Sequence, residues 1–144
     1  MKILGLDIGE KRIGIALSDE MGWTAQGIEV LERKCLEVDL MKIKELVESA
    51  KVSSVVMGLP KNMDGSLGES AQRIMSFARK FEEIISIPII FWDERWTTKE
   101  ATRLLIETDL GRKKRRKVVD KLAAVLILQG YLDSLTSTEG SKEE

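Results

Sequence analysis

In the second strand of the opening segment apolar residues recur at every second position, and from Leu36 to Val47 they recur three or four apart. That change of period restricts the fold more than any single motif. The stretch "KILGLDIGEKRIGIALSD", residues 2–19, reads as two strands around the turn "GEKR". Gly9 sits at the turn, and Ile13, Ile15 and Leu17 alternate with Gly14, Ala16 and Ser18. "TAQGIEVL", Thr24 to Leu31, is a third strand that completes an antiparallel meander. Leu36, Leu40, Ile43 and Val47 then mark an amphipathic helix. "VSSVVMGLP" has the continuous apolar character of a strand buried on both faces.

A second apolar stripe, Ala71, Ile74, Met75, Ala78 and Phe81, predicts a helix over Ser70 to Phe81, and Pro88 opens the strand "IIFW" that ends on Asp93 and Glu94. In "TTKEATRLLIET", Thr97 and Glu100 stand at capping-box spacing. A basic loop, "GRKKRRK", precedes a last helix from about Val118 to about Leu135, packed on the sheet through Ala123 and Leu126. The order β-β-β-α-β-α-β-α-α implies a mixed α/β sheet with helices on its faces. The 144 residues fit one domain over 1–136, with 137–144 as a flexible polar tail.

The chain contains no His and only one Cys, Cys35, which excludes disulfide frameworks, Cys/His zinc sites and His-dependent triads. Any metal must be held by oxygen, and any acid or base must be a carboxylate, Lys, Tyr or water. The N-terminus enters a strand without the basic and apolar regions of a secretory signal, so a cytoplasmic location is expected. The most apolar helix has only seven uninterrupted apolar residues, Leu122 to Leu128, against the roughly 20 that span a bilayer.

Asp7 interrupts an apolar strand, where an unpaired charge costs several kcal/mol on the order-of-magnitude scale for buried ions. Glu94 lies just past the last strand, and Asp120 lies in the first turn of the expected final helix. Sites in open α/β sheets form beyond the carboxyl ends of the strands. Three acids from three elements meeting there would repel one another unless a divalent cation held them. Oxygen-only ligation suits Mg²⁺ or Mn²⁺, and two ions about 4 Å apart would clamp both oxygens of a phosphodiester displacement. Each acid also has an ordinary structural reading. Asp7 can pair with Lys11 or Arg12, Glu94 with Arg95 or Arg103, and Asp120 can satisfy a helix dipole. Asp93 competes with Glu94 for the metal role, and the longer arm of Glu94 favours it.

"LDIGEKRIGIALSD", "VVMGLPKNMDGSLGESA", "DERWTT" and "VVDKLAAVLILQGYL" together resemble the YqgF/RuvX family, pre-16S rRNA nucleases also described as Holliday junction resolvases. The match runs from Lys2 to about Asp133, with the four motifs in family order. The resemblance implies an RNase H-like fold with a five-stranded mixed sheet, Mg²⁺ dependence, and maturation of the 5′ end of small-subunit ribosomal RNA. The family's acidic positions fall on Asp7, the Asp93–Glu94 pair and Asp120. Trp96 departs from the Leu expected after "DER".

The net charge of −1 hides a polarised chain: Arg95 to Lys121 carries ten Lys/Arg and four Asp/Glu. Arg112, Lys113, Lys114, Arg115, Arg116 and Lys117 form an unbroken cationic run just before Asp120, suited to a polyanion backbone rather than to base edges. Lys11, Arg12 and Arg95 flank the acids and join the nucleic-acid contacts. Lys61, in "GLPKNMDGSLGESAQR", could hold a phosphate with the amides of the following helix N-terminus, though the glycines there also suit a plain turn. The expected partners are RNA or structured or branched DNA, and pre-ribosomal particles, with no membrane. Both a monomer and a weak homodimer remain open. An actin-like phosphotransferase would need two such domains. A non-catalytic RNA-binding assembly factor would keep the acids for stability alone.

Overall fold

The computed structural model describes residues 1–60, 66–93 and 112–143, with side chains of the last segment described for 120–135. Three strands open the chain: β1 (Lys2–Ile8), β2 (Arg12–Ser18) and β3 (Ala25–Glu32). Helix α1 (Leu36–Ser49), strand β4 (Val52–Leu59), helix α2 (Glu69–Glu82) and strand β5 (Ile89–Asp93) follow, and α3 (Arg112–Glu143) is the last described element. The expected helix over "TTKEATRLLIET" falls outside the described residues. The strands form one mixed sheet in the order β3-β2-β1-β4-β5. The meander pairs antiparallel, and β4 and β5 extend it in parallel from β1. The strands assigned from period two and the helices assigned from the longer period thus appear in the expected order, and β1 is central.

Alternation along the strands divides the core into two layers. Leu4, Leu6, Ile8, Ile13, Ile15, Val55, Met57 and Leu59 pack on one face against Leu40, Ile43 and Val47 of α1 and Ile74, Phe77 and Phe81 of α2. Ile3, Ala16 and Val56 pack on the other face against Ala124, Ile127, Leu128 and Leu132 of α3. The contact expected from Leu126 is therefore carried by Ala124, Ile127 and Leu128. Leu126 lies off that stripe and is half-buried, whereas Ala123 is buried as anticipated.

Helix α3 begins at Arg112, not near Val118, and continues to Glu143. The cationic run is therefore helical in backbone rather than a loop. Lys and Arg are good helix formers, so charge alone does not stop a helix. Two small-residue contacts fix how closely α3 lies on the sheet. A Cβ built on Gly14 would stand 2.1 Å from the carbonyl oxygen of Asp120, and one on Gly5 would stand 2.7 Å from Cβ of Leu128. At the far end of the sheet, Gln129 clasps the β2–β3 hairpin. Its Oε1 accepts from the Ala25 amide at 3.0 Å, and its Nε2 donates to the Trp23 carbonyl at 2.9 Å. None of the described helices is long and apolar enough to cross a membrane.

Candidate active site

Asp7 is the penultimate residue of β1 and is 7% exposed. It lies in register opposite Gly14 of β2. Because Leu6 and Ile8 belong to the layer under α1 and α2, alternation puts Asp7 on the α3 face with Gly5. The missing side chain at Gly14 admits the first described side-chain-bearing turn of α3, so Asp120 comes down beside the strand that pairs with Asp7. Two of the three sequence-predicted acids thus share one face at one edge of the sheet, carried by a strand and a helix 113 positions apart in sequence.

Asp120 is held there by Arg12. The Arg12 Nε donates to Oδ2 of Asp120 at 2.6 Å, and both side chains are about four-fifths buried, at 22% and 21% exposure. Arg12, one of the two partners expected for Asp7, thus reaches from the start of β2 to the last helix. The turn between β1 and β2 is closed by the Gly9 amide donating to the Arg12 carbonyl at 2.9 Å. Lys11 is exposed at the tip of this turn.

Asp93 ends β5 in register with Leu59, continuing the row of Ile89 and Phe91 that pairs with Val55 and Met57. That row belongs to the α1/α2 side, while Ile90 and Trp92 pack with α3. Asp93 therefore sits on the face opposite to Asp7. Glu94, Arg95 and Lys61 lie outside the described residues, as do the side chains of Arg112, Lys113, Lys114, Arg115, Arg116 and Lys117. Among the described residues no group of three or more acid, Cys or His side chains is clustered as a metal site.

A cleft of about 940 Å³ opens at the same sheet edge. Asp7, Gly9 and Glu10 form one wall, Pro60 marks the end of β4, and Arg73, Phe77 and Lys80 of α2 form the other. Glu10 and Arg73 bridge its mouth at 2.5 Å, and this hydrogen-bonded ion pair holds the exposed Glu10 carboxyl below the usual carboxylate range. Helix α2 begins after Gly68, which supplies no side-chain cap. Arg33, which the sequence reading did not single out, is the most constrained cation of the cleft. Its Nε donates to Oδ2 of Asp39 at 3.2 Å, an Nη donates to the Gly9 carbonyl at 3.0 Å, and its guanidinium lies 5.5 Å from the centre of the Phe77 ring. Asp39 is 1% exposed and also accepts from the Lys34 amide at 3.1 Å. Nothing in the local pattern "LERKCLEVD" separates Arg33 from an ordinary surface arginine.

A mixed sheet in the order β3-β2-β1-β4-β5, with acids at the carboxyl end of β1 and on the helix crossing it, defines an RNase H-like α/β protein. Solved structures share this fold. The T. thermophilus RuvC structure in complex with Holliday junction substrate matches with a TM-score of 0.59 at 15% identity, covering 96% of this chain and 97% of that one. The Fowlpox virus resolvase bound to Holliday junction DNA matches with a TM-score of 0.56 at 15% identity, covering 94% and 99%. At such identities the likeness is one of fold. The sequence goes further: the chain belongs to the RuvX family, described as Holliday junction resolvase, whose model matches residues 1–134. A relative from Syntrophomonas wolfei, named "Putative pre-16S rRNA nuclease", is 54% identical over 133 residues, covering 92% of this chain and 94% of its own length. One of the same name from Clostridium acetobutylicum is 51% identical over 135 residues, covering 94% of this chain and all of its own.

Proposed function

We propose that this protein is a divalent-metal-dependent nuclease that hydrolyses phosphodiester bonds in structured nucleic acid, with precursor 16S rRNA as its substrate in the cytoplasm and residues 1–136 as its catalytic domain. What supports this reading is that the nearly buried Asp7 and the Asp120 of the last helix lie on one face at one end of the sheet, in a chain of the RuvX family. Glu94 is the third acid of the proposal. The alternation that takes Asp93 to the α1/α2 side favours its neighbour for the opposite side.

The donors fit a hard cation. They are carboxylates only, and the glycine opposite Asp7 leaves room for the helix bearing Asp120 to approach. Asp7, Glu94 and Asp120 would hold two ions of Mg²⁺ or Mn²⁺. The chemistry a bound divalent cation supplies in such a site is neutralisation of phosphoryl charge and acidification of water. The chain's own residues do the rest. Asp7, fixed by the central strand, gives the site its position, and Arg12 orients Asp120. The cations from Arg112 to Lys117, at the positive end of the α3 dipole, attract the polyanion and neutralise its phosphates.

The test is Mg²⁺-dependent cleavage of single-stranded, duplex and branched RNA and DNA, including a precursor carrying the 16S 5′ leader, by the native chain and by Asp7→Asn. The expected result is cleavage of the precursor that Asp7→Asn abolishes while binding persists. Full activity in Asp7→Asn would overturn the mechanism, and selective cleavage of four-way DNA junctions would replace the RNA substrate with a branched DNA one.

A further inference from the structure

We infer that Arg33 and Lys80 form a phosphate subsite in the cleft on the α2 side of the acid edge, holding the backbone of the substrate strand beside the cut. This rests on the nuclease reading for the site it adjoins, but the subsite itself is argued from the cleft.

The cleft lies on the α1/α2 side of the sheet and reaches Asp7 round the end of β1, where Ile8, Gly9 and Glu10 also line it. Arg33 donates to the Gly9 carbonyl at 3.0 Å, and Gly9 is two residues from Asp7. With Cα atoms spaced about 3.8 Å along the chain, that contact keeps the guanidinium within about 13 Å of the Asp7 backbone. A nucleic-acid strand whose scissile phosphate sits at the acids and which passes round the end of β1 brings a phosphate further along its backbone into reach of Arg33.

Arg33 is also prepared for such a contact. A free arginine loses rotamer freedom when it binds, but this one is already immobilised by Asp39, by Gly9 and by the Phe77 ring. Arginine has five N–H donors, and the hydrogen bonds to Asp39 and Gly9 use two of them. The others remain for the cleft among the described residues. A fork of this kind matches two phosphate oxygens at once.

Lys80 supplies the mobile charge. It is exposed, lines the same cleft on the face of α2 that also carries Arg73, and forms no ion pair among the described residues. Arg73, by contrast, is spent on Glu10. Arg33 alone could be a strap joining β3 to α1, since Asp39 needs a partner. Lys80 has no such duty, so the two residues separate a binding role from a structural one.

The experiment measures binding of fluorescent single-stranded RNA oligonucleotides to the full chain without divalent metal, across a salt series, for Lys80→Gln, Arg33→Lys and the native protein. Urea unfolding of each variant runs alongside. Lys80→Gln should weaken binding by about three- to tenfold and flatten the slope of log affinity against log salt by about 0.7 for one lost single-strand contact. Its unfolding midpoint should not change. Arg33→Lys keeps a cation for Asp39 but loses the fork, and should weaken binding by a similar factor. If both variants bind with native affinity and native salt slope, Arg33 is a strap and the subsite does not exist. Because binding is read without metal, a native chain that cleaves nothing would defeat the nuclease reading and leave this result to be judged separately.

Discussion

Substituting alanine at Gly14 should separate the acids that the fold brings together. The added Cβ would stand 2.1 Å from the Asp120 carbonyl oxygen and 2.8 Å from its carbonyl carbon. Real Cβ contacts essentially never fall below 3.0 Å, so α3 must retreat by about 0.9 Å or more, and the obstacle is backbone that cannot swing aside. Overpacking of this kind costs about 1–3 kcal/mol, and the upper end applies because a helix rather than a side chain must move. The retreat carries Asp120 away from Asp7, and a misplacement of about 1 Å at a reacting centre can cost on the order of a hundredfold in rate. Gly27 is the control. A Cβ there would meet Lys121 at Cγ, 2.3 Å, and Cδ, 2.7 Å, atoms of an exposed flexible side chain. Gly27→Ala should therefore cost less than Gly14→Ala and disturb the rate less, since Lys121 must change rotamer but no helix backbone blocks the new Cβ. The assays are urea unfolding and single-turnover cleavage in Mg²⁺ on the substrate that the native chain cuts. Gly14→Ala with native stability and native rate would refute the argument that this glycine sets the acid geometry.

Other perturbations follow from individual contacts. Arg12→Gln and Asp120→Asn, combined in a double-mutant cycle read by urea unfolding, should show a coupling of about 1 kcal/mol for their partly buried pair, and strict additivity would mean that the contact contributes nothing. Asp19 accepts from the Trp23 amide at 2.8 Å and the Thr24 amide at 3.2 Å, and these N–H groups hold its carboxyl below the ordinary Asp range. Its folded pKa thus lies below its unfolded one. The stabilisation is complete above the unfolded value, near pH 4, and is lost as pH falls through the folded value. Asp19→Ala should accordingly show a shallower loss of stability than the native chain as pH falls below about 4, and parallel profiles would remove Asp19 as a contributor.

Local pattern carried the elements, because burying one face of a strand or helix imposes its own period on the sequence. The three meander strands, α1, β4, α2 and β5 were legible for that reason. Partnership across the fold was not. Arg12 and Asp120 are 108 positions apart, and nothing near Arg12 distinguishes a partner on a distant helix from Asp7 close by. The face that Asp93 takes was half legible. Alternation in "IIFWDE" sets Asp93 with Ile89 and Phe91, but only pairing with β4 reveals that this row faces away from α3. The start of α3 was placed too late because an unbroken run of like charge reads as a solvated loop. Their intrinsic helix propensity, and the packed remainder of α3, point the other way.

The glycines show why fold and chemistry cannot be argued apart in this chain. Gly5 and Gly14 look like weak points in strands, since glycine lacks a side chain to pack and costs backbone entropy. In the sheet they share the face that α3 crosses, and each marks where that helix comes closer than any side chain would permit. Ala124 and Leu128 of α3 answer them from the helix side. A helix seated at ordinary distance would still bury Ile127 and Leu132, so core formation alone does not require the glycines. The close approach does place Asp120 level with Asp7, where Arg12 can reach it. What the strands give up in local preference is recovered as the position of one carboxylate, and that position is what the proposed reaction needs.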